Sequence, residues 1–196
     1  MESGKQIITE ALQMVACINS ESSLWKSFVA SVLRRIDPSK PFGTELYLEI
    51  AVRSWNSYFE SVALRVNAET NKIEVFMTQR DETDPDWKGY WHVPGTALRP
   101  RDAENNPKAR LAKEYGVPIR SLERVGDTGF GWFKEGDEGR GPGMSFVHVT
   151  LLDGEPSLSD RRGWFSVDNL PTPTVPSHVN VIIPMAVKAY KGRQTR

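Results

Sequence analysis

The chain has 196 residues, of which 39% are hydrophobic and 26% are charged. These proportions are typical of a soluble globular domain with room for a small extension, and they exclude a largely disordered chain. Because 25 basic side chains balance 25 acidic ones, no overall field draws the chain to nucleic acid or to an anionic membrane.

The N-terminal residues, MESGKQIITEALQMV, lack the basic start and the apolar run that a secretory signal needs. No apolar run in the chain approaches the ~18 residues of a membrane span. Cys17 is the only cysteine, which excludes an intrachain disulfide and a zinc site built from four cysteines. We therefore expect a cytoplasmic protein.

Residues 4–36 predict two helices separated by a polar break at 19–23. The second helix has an apolar stripe that runs as far as Ile36, and the following Asp37-Pro38 ends it because the residue before proline avoids the helical region. The stripe predicts packing against the protein's own core, with a homodimer contact as the alternative. We therefore expect a helical extension at 1–43, packed on a main domain at 44–196.

From Thr44 the hydrophobic period changes to two, which predicts strands. The predicted strands and extended segments are 45–52, 59–66, 72–78, 90–93, 121–127, 129–133, 144–152 and 163–167. A helix is predicted from Asn106 to Tyr115, ended by Gly116, and a last helix from Ser177 to about Lys191, kinked or split by Pro184. This order predicts an α/β or α+β sandwich with a mixed sheet.

The segment PGTALRPRDAENNPKARLAKEYGV, residues 94–117, carries the most specific pattern in the chain. Gly95, Leu111, Glu114, Gly116 and Val117 fall without a gap on the spacing G-x5-E-x7-R-E-U-x-E-E-x-G-U, where U is a bulky aliphatic residue. That pattern is the box of the Nudix hydrolase family, which the chain resembles.

Three flanking segments are similar to the same family: VFMTQRD at 75–81, GYWHVPG at 89–95, and GWFSVDNLP at 163–171 followed by His178. The resemblance covers roughly residues 45–192. It implies a Nudix-like α/β/α sandwich with a mixed sheet, here preceded by two N-terminal helices.

Most of the charged positions of the box have changed. Arg101 stands at the first glutamate position, Ala109 at the arginine position, Arg110 at the next glutamate and Lys113 at the first of the paired glutamates. Glu114 is the only box acid that survives in this register. A register anchored on Pro94-Gly95 instead would offer Asp102 or Glu104 as the first acid.

Nudix hydrolases hold Mg²⁺ or Mn²⁺ with the box carboxylates, and hard divalent ions need several oxygen ligands. Here three basic side chains and one acid stand where four acids are expected, so we predict that the divalent site is lost. We also expect Arg110 and Glu114 to pair, because they are four positions apart on a helix.

Two interpretations of the box helix remain open. It either only supports the fold, or its basic residues Arg101, Arg110 and Lys113 hold a phosphate directly, as arginine and lysine do well. Hydrolysis would instead require Mg²⁺ or Mn²⁺, with Glu114, the one box acid left, as catalytic residue and metal ligand. Further ligands would then come from the loop 134–143, where the candidates are Glu135, Asp137 and Glu138.

Other residues are candidates for ligand binding. Arg80 follows a predicted core strand and either faces a phosphate or pairs with Asp81 or Asp84. Gly95 opens the box, and Trp132 and Phe133 lie in a glycine-rich loop where aromatic rings could stack on a base.

Three further residues have structural interpretations. Trp91 is expected in the core rather than at a ligand, and His92 as a hydrogen-bonded structural residue rather than a base. The orientation of His148 is left open.

The first hypothesis is a Nudix-fold protein with an impaired box that binds a nucleotide, a nucleoside-diphosphate derivative or another phosphorylated partner, with little or no hydrolysis and no cofactor. The alternatives are an active metal-dependent diphosphate hydrolase with rearranged ligands, and a protein-interaction or oligomerisation module that uses the N-terminal helices.

Overall fold

The computed structural model describes residues 23–36, 46, 56–84, 87–99, 102–103, 105–127 and 143–194. The chain divides into two compact units, Met1–Phe42 and Gly43–Arg196. This division lies close to the predicted boundary at residues 43 and 44. Packing of the first unit on the second stays a prediction.

The described part of the first unit is one helix, α1 (Ser23–Leu33). It corresponds to the second predicted helix and ends before Ile36, because Arg35 N–H and Ile36 N–H donate to carbonyls only three residues back. Phe28, Val32 and Leu33 on this helix are 51%, 47% and 43% exposed. The first predicted helix and Cys17 lie outside the described residues.

Besides the helical residue Leu46, the described part of the second unit contains a mixed sheet, two α-helices and a π-helical turn. In chain order its elements are β1 (Asn56–Val66), β2 (Ile73–Gln79), β3 (Trp91–His92), β4 (Gly95–Ala97), α2 (Asn105–Tyr115), β5 (Ile119–Asp127), β6 (Gly143–Leu152), β7 (Arg162–Ser166), a π-helical turn (His178–Ile182) and α3 (Ile183–Gln194). None of the helices that the structure describes is long and apolar enough to cross a bilayer.

The seven-stranded sheet has the order β3-β2-β1-β6-β5, with β4 added on β1 and β7 on β2. Strand β1 is central: it runs antiparallel to β2 and β4 and parallel to β6. The predicted hairpin is confirmed, with Val66 opposite Ile73 and a turn in which the Asn67 side chain accepts two backbone N–H bonds.

Alternation along the strands divides the core between the two faces of the sheet. On β2, Val75 and Met77 belong to the cluster that contains Ile183 of α3, whereas Phe76 belongs to the cluster that contains Leu111 of α2. A helix therefore covers each face. The predicted α/β/α sandwich with a mixed sheet is confirmed.

Helix α2 has the boundaries that its sequence predicts, within one residue. Pro107 lies in the first turn, where its missing N–H has no intrahelical partner to lose. Gly116 ends the helix with φ 74°, and its N–H donates to Ala112 O at 2.9 Å. A Cβ atom at Gly116 would overlap Ser157 Oγ, so this turn requires glycine.

A buried chain of hydroxyl groups ties α2 to the sheet. Tyr115 Oη donates to Ser61 O at 2.7 Å, so it accepts from Ser61 Oγ at 3.0 Å, and Ser61 Oγ in turn accepts from Thr150 Oγ1 at 2.6 Å. Burial, ahead of the other causes, raises the pKa of Tyr115. The hydroxyl groups of Tyr115, Ser61 and Thr150 are therefore all hydrogen-bonded within the protein, without contact to water.

We expect Tyr115→Phe to lower the free energy of unfolding by about 1 to 2 kcal/mol, because the variant leaves Ser61 Oγ without its buried acceptor. Urea denaturation of wild type and variant measures the change. Tyr190→Phe, at a partly buried position on α3, is the matched control and should change stability by less than about 0.5 kcal/mol. Equal effects at both positions would contradict the hydroxyl chain.

Pro184 splits the C-terminal helix, as its sequence predicts. Ile183 N–H donates to His178 O, five residues back, and Pro184 has no N–H with which to continue an α-helical pattern from the preceding turn. The π-helical turn therefore gives way to α3 at this point. Its first residue, His178, is 4% exposed.

Two strand predictions differ from the structure or fall outside it. Leu46, the one described residue of the predicted strand 45–52, is helical, so that prediction is wrong at this residue. A short alternating apolar pattern does not by itself distinguish a strand from a helical turn. The predicted extended segment 129–133 lies outside the described residues.

Candidate ligand-binding cavity

A cavity of about 400 Å³ opens beside the box segment. Its walls come from the sheet and from α2: β1 supplies Tyr58 and Glu60, the end of β2 leads to Arg80, β4 begins with Gly95, and α2 supplies Glu114. Residues far apart in the chain meet here because β1 lies at the centre of the sheet.

Gly95 lies between two carboxylates. Its N–H donates to the Glu114 side chain. A Cβ atom at Gly95 would overlap the Glu60 carboxylate, so a side chain here would displace Glu60 from its position. Glu60 is 7% exposed, and its Oε1 accepts from Ser145 Oγ at 3.4 Å. The opening glycine of the box therefore allows two acids to approach the same backbone.

The electrostatic environment of Glu114 is dominated by burial. Burial raises the pKa of this carboxyl group to about 7, against the opposing effects of Arg80, the Gly95 N–H and Arg162. Arg162 Nη1 also donates to the backbone oxygen of Glu114 at 3.4 Å. Near neutral pH the Glu114 carboxyl group is thus partly protonated.

Arg80 lines the cavity and pairs with Asp84, as one of the two alternatives from the sequence predicts, whereas its contact with a phosphate stays a prediction. Its Nη1 lies 2.8 Å from Asp84 Oδ2, and the other Asp84 oxygen accepts the Trp87 N–H at 2.9 Å. Arg161 Nη2 donates to the backbone oxygen of Arg80 at 2.6 Å. These bonds hold Arg80 at the cavity wall.

Arg110 is turned away from the cavity and toward the loop before α2. Nη1 and Nη2 donate to the two oxygens of Asp102 at 2.9 and 2.7 Å. Nε donates to Thr96 Oγ1 at 2.9 Å, and Nη2 also to Ala97 O at 3.0 Å. The predicted pairing of Arg110 with Glu114 is therefore wrong, because a bidentate partner from the loop outcompetes a neighbour on the helix surface.

Asp102 is thus neutralised by Arg110 rather than directed to a ligand. The Arg110 hydrogen bonds, together with the Arg99 N–H, hold the pKa of Asp102 well below its usual range despite partial burial. The alternative register, in which Asp102 replaces the first box acid, gains no support from this contact. Glu104 lies outside the described residues.

The candidate binding residues from the sequence are only partly brought together. Arg80, Gly95 and Glu114 line the cavity, whereas Arg110 and the exposed Lys113 do not. The remaining candidates lie outside the described residues: Arg101, Trp132, Phe133, Glu135, Asp137 and Glu138.

The aromatic and histidine candidates are mostly structural. Trp91 packs on the core with its ring edge toward Phe165 at 4.8 Å. His92 lines the cavity, and its Nε2 lies 3.1 Å from Thr78 Oγ1. His148, whose orientation the sequence left open, is 8% exposed and stacks on Phe59 at 3.7 Å. Burial lowers the pKa of His148.

Three residues at the cavity were not predicted from the sequence: Glu60, Arg162 and His178. His178 was noted there only as part of the C-terminal resemblance. Glu60 carried a signal, because a charged residue at the centre of an apolar strand, in SYFESVALRV, is rarely buried without a role. Arg162 precedes the strand segment GWFS without any distinguishing pattern.

The described residues at the cavity include no cluster of three metal-ligating side chains. No group of three or more histidine, cysteine, aspartate or glutamate residues is arranged to hold a metal ion within the part of the chain that the structure describes. Glu60 and Glu114 alone flank Gly95, and Glu114 is partly protonated near neutral pH. Mg²⁺ or Mn²⁺ would need further oxygen ligands.

No protein-family model matches the sequence, and no curated protein matches it. Among solved structures, the chain is similar to the NUDIX domain of Shewanella oneidensis NrtR complexed with ADP ribose, at 18% identity and a TM-score of 0.53 over 82% of this chain and 97% of that one. It is similar to a mutT/nudix family protein from Listeria innocua at 17% identity and 0.53, over 71% and 96%.

It is also similar to S. oneidensis NrtR complexed with a 27mer DNA, at 16% identity and a TM-score of 0.54 over 69% of this chain. The match spans only 62% of that longer protein. At such identities the likeness establishes the architecture alone. The sheet order, the helix on each face and these neighbours together show that the chain has a Nudix-like fold.

Proposed function

We propose that the cavity binds a nucleotide or a nucleoside-diphosphate derivative and hydrolyses it little or not at all. The observation that carries this proposal is a cavity beside the box in which two arginines, Arg80 and Arg162, accompany the single surviving box acid, Glu114. A volume of about 400 Å³ lies within the range of small-molecule sites.

Two arginines and four carboxylates line the cavity, so a phosphate would bind on the side of Arg80 and Arg162. Of the carboxylates, Asp84 is paired with Arg80, Glu114 has a pKa of about 7, and Glu60 is buried and accepts from Ser145 Oγ. Asp81 is 66% exposed at its side chain, so water screens it. Arginine is suited to phosphate because its guanidinium presents several donors in one plane.

Weak or absent hydrolysis follows from the box residues. Arg110 occupies a glutamate position and is engaged with Asp102, and Lys113 occupies another and is exposed. The box thus supplies one carboxylate, Glu114, where the family pattern supplies four, which leaves a divalent cation fewer protein ligands.

ADP-ribose is a suitable first probe, because the NUDIX domain of S. oneidensis NrtR, which shares the fold, was crystallised with it. We expect ADP-ribose to bind wild type in isothermal titration calorimetry with EDTA present. Arg80→Met should weaken binding tenfold or more, since a charge-assisted bond to phosphate is worth about 1.5 to 3 kcal/mol. Arg120→Met, at an exposed residue paired with Asp153, is the control.

A panel of further ligands tests both parts of the proposal, binding and weak hydrolysis. It includes ADP, nucleotide sugars and dinucleoside polyphosphates, each also incubated with Mn²⁺ and assayed for phosphate release. Failure of wild type to bind any member would overturn the proposal, and so would rapid metal-dependent turnover.

Glu60 favours the second candidate, a metal-dependent diphosphate hydrolase. It adds a second carboxylate at Gly95 beside Glu114 and would be one ligand of a rearranged set. If this candidate is correct, Glu60→Gln should abolish Mn²⁺-dependent phosphate release.

Exposed apolar side chains on α1 favour a third candidate, a protein-interaction or oligomerisation module. A concentration-dependent mass of the full chain that Phe28→Ser abolishes would support it, together with the absence of any ligand response.

A further inference from the structure

His178 is the most buried ionisable residue at the cavity. It is 4% exposed and begins the π-helical turn that Pro184 terminates. Turns of this type are frequent at functional sites, because the wider backbone displaces side chains from their α-helical positions. The box pattern does not include this residue.

One ring nitrogen of His178 has a fixed role. The backbone N–H of Val93 donates to His178 Nδ1 at 3.1 Å, across 85 positions of the chain. A backbone N–H is always a donor, so Nδ1 must present its lone pair. In the neutral ring the proton therefore resides on Nε2.

The second nitrogen is available to the cavity. His178 lines the cavity. Within the described part of the chain, its hydrogen bonds are made by Nδ1 and by backbone atoms, and none is made by Nε2. The ring lies edge-on to His92, with centroids 6.0 Å apart. Nε2–H is thus a donor in a buried wall that also contains Arg80.

The ring stays neutral at ordinary pH. Burial, and then the nearby His92 and Arg80, lower the pKa of His178 well below 6.5. Protonation would moreover break the bond from Val93, because Nδ1 would then become a donor facing a donor. A neutral N–H requires an acceptor from the ligand, and the guanidinium of Arg80 beside it favours an anionic oxygen.

We propose that His178 is a specificity-determining residue that donates Nε2–H to a phosphoryl oxygen of a ligand held beside Arg80. This inference rests on the proposed function and deepens it. A group that is itself only a donor, such as an ammonium, would be rejected at this point, because its insertion leaves two buried donors facing each other.

Replacing His178 by asparagine in one variant and by glutamine in another separates the roles of the two ring nitrogens. Asn reaches only as far as Nδ1, so His178→Asn can still accept from Val93 but lacks the Nε2–H donor. Gln reaches as far as Nε2, so His178→Gln keeps a donor toward the cavity and loses the acceptor for Val93. His148→Asn, at a buried histidine that does not line the cavity, is the matched control.

The probe is ADP-ribose, measured by calorimetry, with thermal unfolding recorded for every variant. We expect His178→Asn to weaken binding about tenfold or more, as loss of one hydrogen bond to a charged group does, while it stays folded. His178→Gln should melt earlier yet bind within about threefold of wild type. His148→Asn should leave the affinity unchanged.

Wild-type affinity in folded His178→Asn would overturn the inference while the proposed function stands. Should the Asn variant fail to fold, the Gln variant decides: a tenfold loss in folded His178→Gln overturns the inference, and near-wild-type affinity supports it. Absence of ADP-ribose binding by wild type would overturn the proposed function and this inference with it.

Discussion

Arg110→Ala is expected to lower the free energy of unfolding by about 3 kcal/mol, because it leaves the Asp102 carboxylate partly buried without its bidentate partner. The side chains of Arg110 and Asp102 are 23% and 11% exposed. The variant also removes the donors to Thr96 Oγ1 and Ala97 O. Urea denaturation monitored by tryptophan fluorescence measures the loss.

A double-mutant cycle with Asp102→Ala isolates the interaction energy between Arg110 and Asp102. The double variant should be more stable than the sum of the two single losses implies, since it no longer contains an unpaired buried charge. Arg110→Lys should recover only part of the stability, because an ammonium cannot bridge both oxygens. A single-variant loss below about 1 kcal/mol would contradict the structural role of Arg110.

The Arg110–Asp102 pair also makes the stability of the protein depend on pH in the acidic range. The pKa of Asp102 is lowered in the folded protein, so its stabilising contribution is complete above the ordinary pKa of aspartate and is lost as pH falls below it. Arg110→Ala should remove that acid dependence. Because Arg110 holds Thr96, Ala97 and Asp102 to α2, weaker ligand binding by this variant would not by itself identify Arg110 as a phosphate ligand.

Glu114→Gln is expected to raise the free energy of unfolding by up to about 3 kcal/mol at pH 8 and to change it little at pH 4.5. The pKa of Glu114 is raised from 4.5 to about 7. As pH rises through this window, the unfolded chain releases the proton first, so wild type loses about 1.4 kcal/mol of stability per pH unit. The amide oxygen of Gln can still accept the Gly95 N–H.

The quantity to compare is the difference in the free energy of unfolding between Glu114→Gln and wild type, measured across pH. His178 contributes with the opposite sign, because its lowered pKa makes stability fall as pH drops below about 6.5, and the difference cancels that contribution. Glu69→Gln, at an exposed turn residue, is the control and should change the free energy of unfolding by less than about 0.5 kcal/mol. A flat difference curve for Glu114→Gln would contradict the raised pKa.

Much of the fold could be predicted from the sequence because the relevant signals are local. The hairpin of β1 and β2 follows from period-two apolar residues around a polar turn, and α2 from Pro107 in its first turn and Gly116 at its end. Pro184 marked the split in the last helix for the same reason. Each of these features depends on the few residues around it.

The site could be predicted only in part. The box spacing identified Gly95 and Glu114, and the end of a core strand identified Arg80. The partner of Arg110 was predicted wrongly, because helical spacing ranks Glu114 as a neighbour and contains no information about the loop that brings Asp102 into reach. Sequence letters alone likewise cannot show that burial raises the pKa of Glu114 to about 7.

The sequence by itself predicted most of the described elements, their order and the Nudix-like architecture. Only the tertiary structure decided which groups share the cavity: Glu60 against Gly95, and His178 oriented by Val93. The physical reason is that hydrogen bonds and desolvation act over a few ångströms in space. The packing of β1, β4, α2 and the π-helical turn sets those distances between residues that are far apart in the chain.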